Sequence, residues 1–309
     1  MEENDKLNYW HLINVTNASI ALPKELLNDT FMCKFYSNLN LKDENFFKML
    51  LLHNRTWESL KNEHFFYKML MLRKWSTDYS FSMLRKKKLG EELKKHANIF
   101  SVIYLYIPLG LKFELPAGIL QQPFFDMDWP NYLNFGAIAS MIGLEITHGL
   151  FKTGVHDGLG YWSQSARERF YKKSECFVTQ YDNYARESPE FEKWVNSNST
   201  KVENMAETAG LEIAYLAYQS WVNDNQIEKK LPGLKYTPNQ LFRISAANVL
   251  CEKQRKMNLK SNNLGGSPMF RVIGSMSNLP QFARDFNCPA NTTMNRENKC
   301  RIWNKEYGD

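Results

Sequence analysis

The chain is poor in long apolar runs, in closely paired cysteines and in excess charge of either sign. Its longest apolar stretch, Asn98 to Leu111, is broken by Pro108 and falls short of the roughly 18–20 residues a bilayer-crossing helix needs, so no membrane segment is read here. The first residues, Met1-Glu2-Glu3-Asn4-Asp5-Lys6, are charged with no hydrophobic segment behind them, and no signal peptide is in view. None of the five cysteines forms a C-x-x-C pair, which argues against a zinc knuckle or a thioredoxin-type motif. A net charge of +6 over 309 residues is mild. The one dense basic cluster, Arg85-Lys86-Lys87-Lys88, has no nucleic-acid motif around it and reads as a solvated helix face, so nucleic acid is not an expected partner. What is present, 43% apolar and 23% charged residues, is ordinary for a globular protein long enough to bury a sizeable core.

Periodicity divides the chain near residue 99. Before it, Ser37 to Leu52 and Phe65 to Leu84 carry apolar residues at helical spacings, and residues 1–98 read as a helical lead-in or connector. From Ile99 to Tyr106 the residues are β-branched and aromatic. Pro108 and Gly110 then turn the chain and Leu111 to Leu115 resumes, which predicts a hairpin. Helices are expected over Tyr132–Leu150, Ser165–Asn183, Val202–Val222 and Pro238–Cys251, and Cys288–Trp303 reads as loop. No low-complexity linker interrupts residues 99–309, which are taken as one domain.

The informative segment is Gly143-Leu144-Glu145-Ile146-Thr147-His148-Gly149. In H-E-x-x-H zinc peptidases the two His, four residues apart on one helix, grip a Zn²⁺ while the Glu acts as general base on the metal-bound water. Leu144 stands where the first His would be, and a lone E-x-x-H occurs by chance in many chains. Downstream, Val202-Glu203-Asn204-Met205-Ala206-Glu207 places two carboxylates at i, i+4, suited to a third ligand and to an acceptor that orients a ligating His. Pro116-Ala117-Gly118-Ile119-Leu120-Gln121 lies upstream, and Leu231-Pro232-Gly233-Leu234 and Cys300-Arg301-Ile302-Trp303 follow.

In this ordered set the chain resembles the neprilysin and endothelin-converting-enzyme family of zinc metallopeptidases, strongly from Ile99 to Trp303 and faintly from Ala21 to Leu50. The resemblance implies an α+β, mostly helical fold: a thermolysin-like, gluzincin-type catalytic domain with a small sheet or hairpin at its edge and without the family's N-terminal lobe. It implies a Zn²⁺ cofactor, a cell-surface or extracellular setting, Glu145 at the general-base position, and His148 and Glu203 as metal ligands. It further implies Glu207 in place of the Asp that orients a ligand, and Arg271 and Tyr104 at substrate-binding positions. A Cys176–Cys300 disulfide is implied too, with Cys251 and Cys288 left without their family partners and Cys33 unplaced.

The departures fall on the chemistry. Leu144 replaces the first zinc His, Ile103 replaces the Asn that anchors substrate backbone, and Gly265 lies in a segment where the family carries a transition-state-stabilising His. His156, eight residues beyond His148, is a replacement ligand only if the loop folds back; otherwise it is a surface residue. With two ligands left of three, zinc binding is expected to be weak or absent, and the chain is expected to be an inactive homologue that binds a peptide, a protein or an active family member. A working zinc metalloendopeptidase and a truncated product without independent function are the alternatives. Six N-x-[ST] sequons begin at Asn14, Asn17, Asn28, Asn54, Asn198 and Asn291, where composition alone would give roughly three, and this leans towards an extracellular glycoprotein.

Overall fold

The computed structural model describes residues 3–21, 27–37, 64–83, 105–107, 112–155, 162–187, 196–253 and 267–302. The chain forms two compact units: Met1–Ser19 with Ser101–Asp309, and Ile20–Phe100. Most of the Ser37–Leu52 run, the Arg85–Lys88 cluster, Asn54, Ile103, Tyr104, His156 and Gly265 lie outside the described residues.

In the smaller unit, α2 (Asp29–Phe35) starts at Asn28, whose side chain accepts from the Phe31 amide at 3.0 Å and fills one of the donors a helix start leaves open. The helix expected from Phe65 runs over His64–Met83 (α3). Phe35 meets Trp75 and Tyr79 of that helix edge-on, with ring centroids 5.3 and 5.0 Å apart, the geometry aromatic quadrupoles favour.

The larger unit is mostly helical. The expected hairpin is present as β2 (Leu105–Ile107) and β3 (Lys112–Pro116), antiparallel with Tyr106 opposite Phe113. A strand that the periodicity did not signal, β1 (Asn17–Ala21), makes β3 the middle of a three-stranded sheet. Ahead of it, α1 (Glu3–Val15) belongs to this unit: Leu12 is fully buried, Tyr9 stacks on Trp162 with centroids 5.6 Å apart, and buried Asp5 accepts from the Ser163 amide at 2.9 Å. Ser163 immediately precedes α6 (Gln164–Glu187), so the Asp5 carboxylate sits against the positive end of that helix.

The helix predicted over Tyr132–Leu150 is not regular. It begins as α4 (Asn131–Asn134), widens into a π-helical turn over Phe135–Ala139, and continues as α5 (Ser140–Val155). Its first amides are capped from a distance: Glu228 accepts from the Asn131 and Tyr132 amides at 2.7 and 3.1 Å. The long helix α7 (Ser197–Asp224) starts at Asn196, whose side chain accepts from the Ser199 amide. Next come α8 (Pro238–Asn248), opened by a reciprocal Thr237–Gln240 capping box, α9 (Pro268–Ser277) and α10 (Pro280–Asp285). One apolar cluster joins α1, α5, α6 and α7 through Leu12, Phe151, Phe170, Phe177 and Met205, and a second joins α7, α8 and α10 through Tyr218, Phe242 and Phe282. Cys176 of α6 is bonded to Cys300, as the resemblance implied, while Cys33, Cys251 and Cys288 are free thiols.

Helices α5 and α7 approach each other backbone to backbone. A Cβ on Gly143 would lie 2.5 Å from the Gly210 carbonyl oxygen, and one on Gly210 would lie 2.3 Å from the Leu144 amide nitrogen. Alanine in a helix interior ordinarily stabilises by about 1 kcal/mol relative to glycine. Here the sign inverts: Gly143→Ala and Gly210→Ala are each expected to cost about 1–3 kcal/mol, because backbone, not a flexible side-chain end, must yield. Chemical denaturation checks this, and a gain in stability would show that the helices can part at no cost.

Candidate functional site

Four of the residues singled out in the sequence are brought together by this crossing. From α5, three residues apart on one face, come Glu145 and His148; from α7, one turn apart, come Glu203 and Glu207. His148 Nε2 lies 2.7 Å from Glu203 Oε2, and its Nδ1 lies 3.7 Å from Glu145 Oε1. The imidazole is almost wholly buried, so the two carboxylates act on it with little water between. Burial by itself would lower the His148 pKa, but Glu145 and Glu203 outweigh it and raise it to about 9. A value that high keeps His148 protonated at neutral pH, paired through Nε2 with Glu203.

Leu144 is 3% exposed and is part of the apolar cluster that includes Met205, Ala206 and Ala209. It also lines a cavity of about 30 Å³ together with Ser140, Glu207, Leu211, Val272 and Met276. That volume holds about two waters by the usual 10–15 Å³ apiece. Glu207 is buried, and its Oε1 accepts from Arg271 Nε of α9 in an ion pair. Its Oε2 has no hydrogen-bond partner among the described residues. Leu144, which lines the same cavity, offers it no polar atom. Burial raises the Glu207 carboxyl to about 7, with Arg271 opposing. Burial, helped by the Glu207 charge, also pushes the Tyr181 phenol well up. Sequence reasoning missed Tyr181 and the Glu207–Arg271 pair, since nothing local ties residues 64 positions apart. Tyr104 and His156 fall outside the described residues, so the structure places neither.

A histidine and glutamates from two crossing helices, within a mostly helical α+β frame, define a zinc-peptidase scaffold. The pattern described as peptidase family M13 matches residues 105–302, and the chain belongs to that family. Neprilysin-2 of Drosophila melanogaster is 35% identical over 292 residues, which cover 92% of this chain and 35% of that protein. Human endothelin-converting enzyme-like 1 is 37% identical over 231 residues, covering 71% of this chain and 29% of that one. Among solved structures, an inhibitor complex of the Mycobacterium tuberculosis zinc metalloprotease ZMP1 is 28% identical with a TM-score of 0.55, over 66% of this chain and 32% of that one. The open state of ZMP1 shares the fold at a TM-score of 0.69 and 23% identity, over 98% of this chain and 44% of that one. The chain spans about a third of the length of the curated relatives it matches. No helix among the described residues is long and apolar enough to cross a membrane.

The family is zinc-dependent, but the residues here do not fit the ion as its chemistry demands. A catalytic zinc takes three protein ligands and an open position. Leu144 has no lone pair, and the described residues contain no group of three His, Cys, Asp or Glu placed to hold a metal.

The two raised groups act in the same direction on stability. His148 in the folded state lies above its ordinary 6.5, so its contribution is full below about 6.5 and is lost as pH rises through about 9. Glu207 lies above its ordinary 4.5, so its contribution is full below that value and is lost as pH rises through about 7. Thermal melts in the presence of a chelator should therefore fall progressively from about pH 4.5 to about pH 9, Glu207 governing the lower part and His148 the upper. Glu203→Gln should flatten the upper part of that fall; a flat wild-type profile would contradict the pairing.

Proposed function

We propose that the chain is a catalytically inert M13 homologue whose retained scaffold serves binding. The observation that carries this reading is the buried Leu144 at the first ligand position, beside a His148 already bonded to Glu203 at 2.7 Å. Lacking one imidazole, the site offers two donors, and disturbing even an outer partner of a metal ligand typically costs about 10–100-fold in affinity or activity. Glu145 then has no activated water to deprotonate, because water keeps its solution pKa without a metal. Two more positions point the same way: Ile103 and Gly265 lack the polar side chains that their family counterparts supply to substrate and transition state. Loss of one such donor typically costs about 10²–10³ in rate. The ligand class is a peptide or protein, an active family member among them, and the setting is the cell surface or extracellular space, in keeping with a disulfide.

Zinc measured by elemental analysis after loading, together with cleavage of a quenched peptide with and without a phosphoramidon-type inhibitor, tests the proposal. Zinc well below one per chain and no inhibitor-sensitive cleavage are expected. Stoichiometric zinc with inhibitor-sensitive turnover would establish a working metalloendopeptidase instead. A second expectation follows for Leu144→His: zinc uptake rises while turnover stays poor, because positions 103 and 265 are unchanged. Robust turnover by this single variant would mean that those two losses matter little.

A further inference from the structure

We propose that the end of the Arg243 guanidinium binds a buried monovalent anion, with chloride as its occupant. The site lies between α7, α8 and α10 and is independent of the reading of the metal site. Arg243, in the middle of α8, is 1% exposed and is among the largest fully buried side chains. Its Nε donates to Oδ2 of Asp285, the last residue of α10, at 3.3 Å. Nη1 and Nη2 have no hydrogen-bond partner among the described residues. Burying a guanidinium with two unused nitrogens is costly, and an arginine does not escape the cost by giving up its proton. The neighbouring acid does not supply the missing partners. Asp285 Oδ1 accepts from Asn239 at 3.5 Å and the Asp285 carbonyl accepts from Gln240 at 2.8 Å, so the carboxylate is held where it is.

The rings around Arg243 decide where a partner can sit. The guanidinium carbon lies 4.0 Å from the ring centroid of Tyr215, on α7, and 5.2 Å from that of Phe242. With Tyr215 against its face and Asp285 on its Nε edge, the approach left to both Nη atoms is end-on, in the guanidinium plane. One acceptor there takes an N–H from each. Apolar ring surface keeps the local dielectric low, which strengthens such a contact. Charge favours an anion over water. The cations acting on this cluster are Arg243, Arg284 and Arg301, and the acids are Asp285 and Glu212. Burial raises the pKa of both acids towards the neutral form, which widens the positive excess. Arg284 and Arg301 are exposed and screened by water, so the uncompensated donors are those of Arg243. A site so enclosed takes a single small ion and not an organic carboxylate, and chloride is the small anion that biological fluids hold in quantity. Bound there, it completes the polar shell of a residue that joins α8 to α7 through Tyr215 and to α10 through Asp285. It stabilises the folded chain by mass action.

The test compares melting temperatures in sodium chloride and in sodium gluconate at equal ionic strength. It is made on the wild-type chain and on Arg243→Leu, which keeps apolar contacts and has no side-chain N–H to satisfy. Relative to the variant, the wild type should gain about 2–4 °C in chloride, with a saturable rise on titration. The same response in both proteins, or none in the wild type, overturns the proposal. Wild-type crystals grown in bromide decide the matter if the variant fails to fold. An anomalous peak within hydrogen-bond distance of both Nη1 and Nη2 is expected. A water at that position without anomalous signal overturns the proposal. Bromide at the site with no chloride response in solution is an adventitious ion only, and overturns it equally.

Discussion

Two glycines laid against each other set the geometry on which the rest of the larger unit depends. With no side chain at Gly143 or Gly210, α5 and α7 cross backbone to backbone. Residues beside the crossing are then pressed together: Leu144 and His148, just after Gly143 on one helix, and Glu203 and Glu207, within two turns before Gly210 on the other. In such a contact buried acids and bases have little water to turn to, so each must find its partner in the opposing helix or lose its charge. His148 and Glu203 satisfy one another directly, and Glu207 is satisfied on one oxygen by Arg271. The imidazolium–carboxylate pair balances the acid of α7 against the face of α5.

The price of the leucine at position 144 is local. It joins the apolar cluster well, but a carboxylate oxygen opposite is left without a donor, next to a cavity of about 30 Å³. A buried carboxylate oxygen without a donor is costly even where the other oxygen is paired, and a proton on Glu207 relieves it, which is the direction its pKa takes. Burial raises the Glu207 carboxyl, helped by the Glu203 charge and opposed by Arg271, in a cavity that Glu207 and Leu144 line together.

Much of this was legible beforehand, and for identifiable reasons. Thr237-Pro238-Asn239-Gln240 states a helix start chemically, and α8 begins there with both halves of the capping box made. The hairpin followed from β-branched runs around Pro108 and Gly110. The π-turn at Phe135–Ala139 was not legible, since no residue type marks it; within it Gly136 packs so closely that an added Cβ would lie 2.2 Å from the Phe242 carbonyl oxygen. The docking of α1 was equally hidden, since it hangs on Asp5 meeting Ser163 across 158 positions. At the site, spacing alone could say that Glu145 and His148 share a helix face, and that Glu203 and Glu207 share another. That the two faces meet came from the family resemblance, not from periodicity, and the Glu207–Arg271 pair needed the structure.

Fold and catalysis separate cleanly in this arrangement. The contacts that hold α5 on α7 are the glycine crossing, the apolar cluster around Met205 and the His148–Glu203 bond, and none of them calls for a metal. The disulfide ties α6 to the C-terminal segment, and Glu228 caps α4, with equal indifference to the ion. A scaffold whose charges cancel internally can lose one ligand and keep its shape, because the remaining imidazole is free to protonate and pair. The retained His148, Glu203 and Arg271 thus have a structural reason to persist whatever becomes of the reaction, and their presence alone is no sign of activity.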